Sequence, residues 1–516
     1  MPPGGKPTPP PQAPHRWWAL AALGLVMLTL GFDLTILNVA LPTLSAELRI
    51  DTGQQQWVVD AYLVTFSAAV LPAGLLGDRF GRRRTLLVGL VFVLTGSALG
   101  ALADGAAQLI AARTLMGLGA ALVSPLVLAV LPTIFAPADR PKAVALVATS
   151  FTAGMPLGPL VGGALLDRFG WAALFLTNLP ALALAAIACR LLLPETSDPA
   201  APRVNPLSTA LIAAGIGALV FAVIEGTARG WTSPPVLIAM AASPPLTALA
   251  LVRESRRRRP MIDLRLLRDP GFGWPTLFSA VAGFLLAGLL FFLPQYLQDV
   301  RGFGPFDAGL RLLPLLAGLL LLVRGGGPLV RQFGVGAVVA SGMVLLSFAG
   351  FLGSSALAEA GDGQLAIWLA ITGLGLGLAM VPSVDAAMGA LPPDRFGAGS
   401  GMLTTVRLLG SALGVALLGS LLAHTYRGRL DTSGLTEAAA EGAGRSVTSA
   451  HQWAERLNRP ELAEAADAAF THATNVALFV SAYLALAAAL LAGWLLTRAH
   501  PLSAPVPPRA QTGAGG

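Results

Sequence analysis

The chain is poor in charge and almost without cysteine. Of its 516 residues 12% are charged and one is cysteine, Cys189. Soluble domains carry about 25% charge. Half that fraction over such a length excludes an ordinary cytosolic enzyme and a disordered chain. A lone cysteine inside an apolar run excludes a disulfide framework and a cysteine-built metal site. Five histidines without metal-ligand spacing give no reason to expect zinc. Neither a metal nor a cofactor is expected. Residues 1–16 are Pro-rich and lack a signal-peptide pattern, so they read as a disordered tail, as do residues 498–516.

Apolar residues are abundant: 55% of the chain is hydrophobic and mean hydropathy is +0.70. The 59 Gly and 39 Pro are scattered through the apolar runs, as membrane helices tolerate. A spanning helix takes ~20 apolar residues, and fourteen segments qualify: 17–41, 55–76, 85–103, 106–131, 143–165, 172–193, 206–226, 235–252, 272–293, 307–323, 335–357, 365–389, 398–422 and 475–497. The expected fold is an all-α polytopic membrane protein. An even number of spans puts both ends on one side. That side holds 21 of the 34 Lys and Arg, the other holds nine, five of them in the long 423–474 loop. Short loops decide orientation. Both termini are therefore expected in the cytoplasm, with the chain in the cytoplasmic membrane and the 423–474 loop outside and partly helical. The net charge of +7 follows from this asymmetry rather than from nucleic-acid binding. The Arg256–Arg259 tract directly follows the eighth span, where lipid headgroups are the expected partner.

The chain also repeats itself. Ala40-Leu41-Pro42 recurs as Phe292-Leu293-Pro294, Phe80-Gly81 as Phe333-Gly334, and Gly154 with Gly158 as Gly410 with Gly414, at offsets of 252, 253 and 256. The near-constant offset pairs spans 1–6 with spans 9–14 and leaves two between. The expected organisation is a six-span bundle (17–193), two extra spans with a linker (194–271) and a second bundle (272–497). Parallel repeats of this kind mark transporters whose site lies between the halves near mid-membrane.

Charges inside spans are few. Asp33, Asp60 and Arg113 lie about eight, five and seven residues from the outer ends of spans 1, 2 and 4, a layer some ~12 Å deep or less. A charge in a spanning helix costs ~2.5–3.5 kcal/mol on insertion scales, so it faces a cavity or a partner. Asp33 reads as a proton or cation site held by Arg113, or as half of a buried pair that only joins helices. Asp60 reads as a substrate contact or a solvated helix end. Asp385, near the cytoplasmic end of span 12, would meet cationic substrate, or merely cap a helix. Glu225 reads as interfacial. Arg407 reads as structural, a partner for Asp78 or another carboxylate.

The loop after span 2 runs Gly74-Leu75-Leu76-Gly77-Asp78-Arg79-Phe80-Gly81-Arg82-Arg83-Arg84. Its glycines suit a tight turn, and Asp78 can cap a helix or pair with an arginine. An ordinary positive-inside loop does not require so ordered a pattern. The loop resembles the signature between helices 2 and 3 of the major facilitator superfamily. Residues 32–42, FDLTILNVALP, resemble the first-helix signature of its fourteen-helix drug:proton antiporters. Residues 113–121, RTLMGLGAA, resemble the fourth-helix motif. Residues 154–163, GMPLGPLVGG, resemble the helix-5 antiporter motif, and Gln56-Trp57-Val58-Val59-Asp60-Ala61-Tyr62 is similar to helix 2 of quaternary-ammonium efflux pumps. The resemblance covers about residues 17–497.

It implies a major facilitator fold of six, two and six helices and proton-coupled export of amphipathic, cationic drugs by alternating access. Gly154, Pro156, Gly158, Pro159, Gly162 and Gly163 would then seal the cavity against proton leak, and Gly74, Asp78, Arg79, Gly81 and Arg82 would act in the conformational change. The second half departs from the pattern: Arg331 stands where Asp78 would repeat, Leu285 where Asp33 would, and the match to Arg113 is apolar, near Ile371. The stretches 373–377 (GLGLG) and 325–327 (GGG) are no phosphate cradles; the first lies in a span and the second reads as a cytoplasmic turn. Without a nucleotide site, energy must come from an ion gradient. An exporter of one endogenous metabolite, or a transporter-like sensor, are the alternative readings. Protons, a small molecule and lipids are the expected partners, and a monomer the expected state.

Overall fold

The structure is a computed structural model and describes residues 15–136, 139–197, 205–257, 264–356, 361–391 and 396–499. The terminal tails lie almost entirely outside these residues, as does the end of the Arg256–Arg259 tract. Among the described residues the regular structure is helical throughout: α1 (Arg16–Leu48), α2 (Thr52–Phe80), α3 (Arg82–Ala101), α4 (Ala106–Ile134), α5 (Arg140–Phe169), α6 (Ala172–Leu176), α7 (Asn178–Leu192), α8 (Pro206–Arg229), α9 (Pro234–Ser255), α10 (Leu264–Arg268), α11 (Pro270–Gln295), α12 (Pro305–Arg311), α13 (Leu313–Ala356), α14 (Asp362–Gly389), α15 (Phe396–Arg429), α16 (Glu437–Ala443), α17 (Val447–Leu457) and α18 (Pro460–Ala499). Among the described residues thirteen helices are long and apolar enough to cross a membrane, or fourteen when bent α5 counts as one span. The chain is a multi-pass membrane protein.

The sequence repeat is a structural repeat. Gly154 and Gly158 of α5 press on the carbonyls of Leu28 and Phe32 in α1, while Gly410 and Gly414 of α15 press on those of Ala280 and Phe284 in α11. Gly117 meets the Tyr62 carbonyl and Gly373 meets that of Leu315 in the same way. Only a missing Cβ lets backbones approach this closely. The turns repeat too: Gly81 ends α2 at φ +110° and Gly334 breaks α13 at φ +79°.

That second turn corrects one expectation. Gly326 and Gly327 lie inside α13, not in a cytoplasmic turn, and the chain reverses at Gly334 instead. Glycine alone does not end a membrane helix, where the backbone finds no other partner than its own ladder. Span 10 is correspondingly longer than the sequence suggests.

The halves meet along α2 and α15 and also at the end opposite the termini. There Gln298 donates to the Val39 carbonyl at 2.8 Å, Phe306 N–H donates to Asp167 at 3.2 Å, and Gly163 and Pro159 of α5 pack on α12. α5 bends by 42° between Lys142–Met155 and Leu157–Phe169. Its first half is open, with Val144 and Leu146 exposed. A small helical cap closes the sealed end. Ser446, the N-cap of α17, bonds Ser45 of α1 at 3.0 Å; the Arg445 carbonyl accepts from Thr52 Oγ1 of α2 at 2.9 Å; Gln452 donates to the Ala46 carbonyl at 3.3 Å. The cap grows from α15 and α18 in the second half but grips α1 and α2 in the first.

Candidate functional site

Three helices converge on one buried ion pair. Asp33 sits mid-way along α1 and Arg113 in α4, each 2% exposed. Arg113 Nη1 donates to Asp33 Oδ2 at 2.9 Å, and its Nε donates to the Val58 carbonyl of α2 at 3.3 Å. The guanidinium lies 4.4 Å from the centre of the Tyr62 ring, an added cation–π contact. Asn178 of α7 donates to Asp33 Oδ1 at 3.3 Å and reaches Ser97 Oγ of α3 at 3.4 Å. The carboxylate with its two partners thus links α1, α2, α3, α4 and α7. Removing one partner of such a pair costs ~3–5 kcal/mol, because the other charge is left stranded.

Asp60 is different. It is fully buried, and among the described residues neither carboxylate oxygen has a hydrogen-bond partner. It is no solvated helix end. On α2 it shares a face with Gln56, one turn before, and Leu71, three turns after. Both of those touch α15: Gln56 donates to the Ala416 carbonyl at 3.5 Å and Leu71 lies against Gly401. Asp60 therefore faces the seam between the bundles. A carboxylate without a donor is costly to hold in such surroundings, and a proton or an incoming cation would satisfy it.

The loop between α2 and α3 is a clasp. Asp78 accepts from Arg82 Nε at 2.8 Å across the turn, and Arg82 Nη1 donates to the Ala129 carbonyl of α4 at 3.0 Å. Of the loop's glycines only Gly81 makes the turn; Gly74 and Gly77 belong to α2, where Gly77 fits against Leu126. Arg79 stacks over Phe80. α3 lacks an N-cap side chain of its own, since Gly81 holds that position. Glu195, beyond α7, supplies one: its carboxylate accepts from the Arg83 and Arg84 N–H groups at 3.1 and 3.2 Å.

Other predicted residues stand apart. Arg407 does not pair with Asp78; among the described residues it makes no ion pair or hydrogen bond, and Asp78 is satisfied by Arg82. Asp385 is exposed near the end of α14, away from the buried layer. Glu225 pairs with Arg229 one turn on, at the C-terminal end of α8. Among the described residues no cluster of His, Cys, Asp and Glu could hold a metal. Sequence reasoning missed Asn178, Tyr62 and Glu195. Asn178 carried a signal, a lone amide in an apolar run; Glu195 carried none.

The sequence profile of the Major Facilitator Superfamily matches residues 23–415. The chain belongs to this superfamily. It is 33% identical over 492 residues to the multidrug efflux pump LfrA of Mycolicibacterium smegmatis, covering 93% of this chain and 96% of that one. It is 32% identical over 410 residues to the tetracenomycin C resistance and export protein of Streptomyces glaucescens, covering 79% and 76%. Among solved structures, a bacterial homologue of the human lysosomal transporter Spinster, inward-facing and unoccupied, superposes with a TM-score of 0.67 over 95% of this chain and 99% of that one, at 18% identity. Superfamily members are transporters.

Proposed function

We propose that this protein exports amphipathic drugs or toxic compounds from the cytoplasm in exchange for protons, with both termini cytoplasmic. The observation that carries the reading is the contrast between two buried carboxylates in one bundle: Asp33 fully paired, Asp60 without any partner. Arg113 holds α1 to α4 by an ion pair only while Asp33 is ionised, and bonds α2 through the Val58 carbonyl beside it. A proton reaching Asp33 from outside would release that tie and let the helices rearrange. Asp60, on the seam, would take the substrate's cationic group. The relatives support drug export: LfrA is named a multidrug efflux pump. Export of an endogenous metabolite is the second reading, favoured by the likeness to a tetracenomycin C exporter.

The test is a binding titration in detergent with a pH-sensitive readout, using ethidium. Wild type should release protons on binding. Asp33→Asn should bind ethidium but release none, because Asn keeps the shape and cannot load a proton. Asp60→Asn should lose most of its ethidium affinity. Undiminished proton release from Asp33→Asn would place coupling elsewhere and sink the assignment.

A further inference from the structure

Arg407 is the unexplained charge in the second bundle. It lies mid-way along α15, deep in the protein, yet it is neither paired nor sealed among the described residues: a minor part of it is accessible, and its nitrogens are not among the buried polar atoms lacking partners. An arginine deep in a protein, with free surface and no acid beside it, borders internal space. Close packing against α11 fixes the stem of the side chain. Gly283 of α11 faces Arg407, whose Cγ lies 3.3 Å from where a Cβ would stand, and Ser411 Oγ, one turn further along α15, lies 3.0 Å from the same point. Any larger residue at 283 would push on the arginine stem. Ser279, one turn before Gly283 on α11, has a buried hydroxyl without a partner.

The register across the seam fixes how Arg407 stands to Asp60. Gln56 meets Ala416 and Leu71 meets Gly401, so α2 and α15 run antiparallel with a constant pairing. Asp60 then lies level with Ala412. Arg407 is five residues, ~7.5 Å, nearer the termini. Asp60 on one bundle and Arg407 on the other are thus an unpartnered carboxylate and an unpartnered guanidinium among the described residues, separated in depth by about the length of a small aromatic scaffold.

We propose that Arg407, with the Ser411 hydroxyl, is an anion subsite that takes a carboxylate or phenolate of the substrate, and that this protein prefers ampholytic compounds over simple cations. A guanidinium offers five donors in a fork that matches a carboxylate, and such charge-assisted bonds are the strong ones. This rests on the export reading above and refines the class of compound exported.

The test uses a matched dye pair: rhodamine B, which carries a free carboxylate beside its cationic xanthene, and rhodamine B ethyl ester, which keeps the cation alone. Fluorescence anisotropy is measured on the full-length protein in phosphatidylcholine nanodiscs. Wild type should bind rhodamine B roughly tenfold tighter than the ester, the size of one charge-assisted contact. Arg407→Gln should abolish that preference while leaving ester affinity unchanged, which also shows that the variant is folded. Arg407→Lys, which keeps the charge without the fork, should retain part of it. Equal binding of the two dyes by wild type overturns the inference without any variant. Equal loss of both dyes in Arg407→Gln also overturns it, and leaves Arg407 a packing or lipid contact. Wild type that binds neither dye sinks the drug-export reading itself.

Discussion

Asp33 and Arg113 show what a membrane does to a charge. Each would cost ~2.5–3.5 kcal/mol alone in a span, and the 2.9 Å pair, with Asn178 and Tyr62 around it, makes both tolerable. The pair should therefore behave as a unit. Arg113→Gln should destabilise the protein by about 3–5 kcal/mol, and Asp33→Asn with Arg113→Gln by clearly less than the two single effects summed. Thermal unfolding of the three variants in one detergent checks this; strict additivity would mean that the two side chains do not depend on each other. Because a buried charge must find a partner, Asp33–Arg113 was legible from depth alone. Asp60 was half legible: its depth was visible, but the face of α2 it occupies was not. The partner of Arg407 was not legible: the sequence offers Asp78 or another carboxylate, and only the fold shows Arg82 already on Asp78.

At the scale of elements, the cap is where pH should act. His451 of α17 bonds Asp467 of α18 at 2.8 Å, with Asp299 and Glu455 also near. The hydrogen bond to Asp467 is the largest influence and, with the nearby carboxylates, lifts His451 above its ordinary value against the opposing effect of burial. A raised histidine contributes its stabilisation in full below the ordinary value of about 6.5 and loses it as pH climbs through the raised one. Amide protection across Val447–Leu457 should thus be greatest at about pH 5.5 and fall toward pH 8, with His451→Gln flat. Hydrogen exchange expressed as protection factors reads this directly; the opposite slope would mean that the His451–Asp467 contact does not hold the cap. The elements themselves were largely legible, because ~20 apolar residues are the least a span can use. Their ends were less so. The run 325–327 (GGG) looked like a turn but is helix, and Glu195 caps α3 from a segment more than a hundred residues away, which no local pattern announces.

At the scale of the molecule, the two bundles are copies that have diverged in charge. Backbone contacts repeat closely, as Gly154 on Leu28 and Gly410 on Ala280 show. The ionisable layer does not: Leu285 stands where Asp33 would repeat. The repeat was legible because close helix approach demands glycine at fixed spacing; the seam was not, because it depends on how the copies dock. The asymmetry suits a machine in which one bundle handles the proton and both shape the cavity. The most direct test of that claim is ethidium flux in proteoliposomes holding the wild-type protein, with the pH gradient set by external buffer and no nucleotide present. Uptake of dye against its concentration gradient should follow the imposed pH gradient, reverse when the gradient is reversed, and vanish with a protonophore or in Asp33→Asn. Accumulation that persists without a pH gradient, or is unchanged in Asp33→Asn, would contradict proton-coupled export through this site.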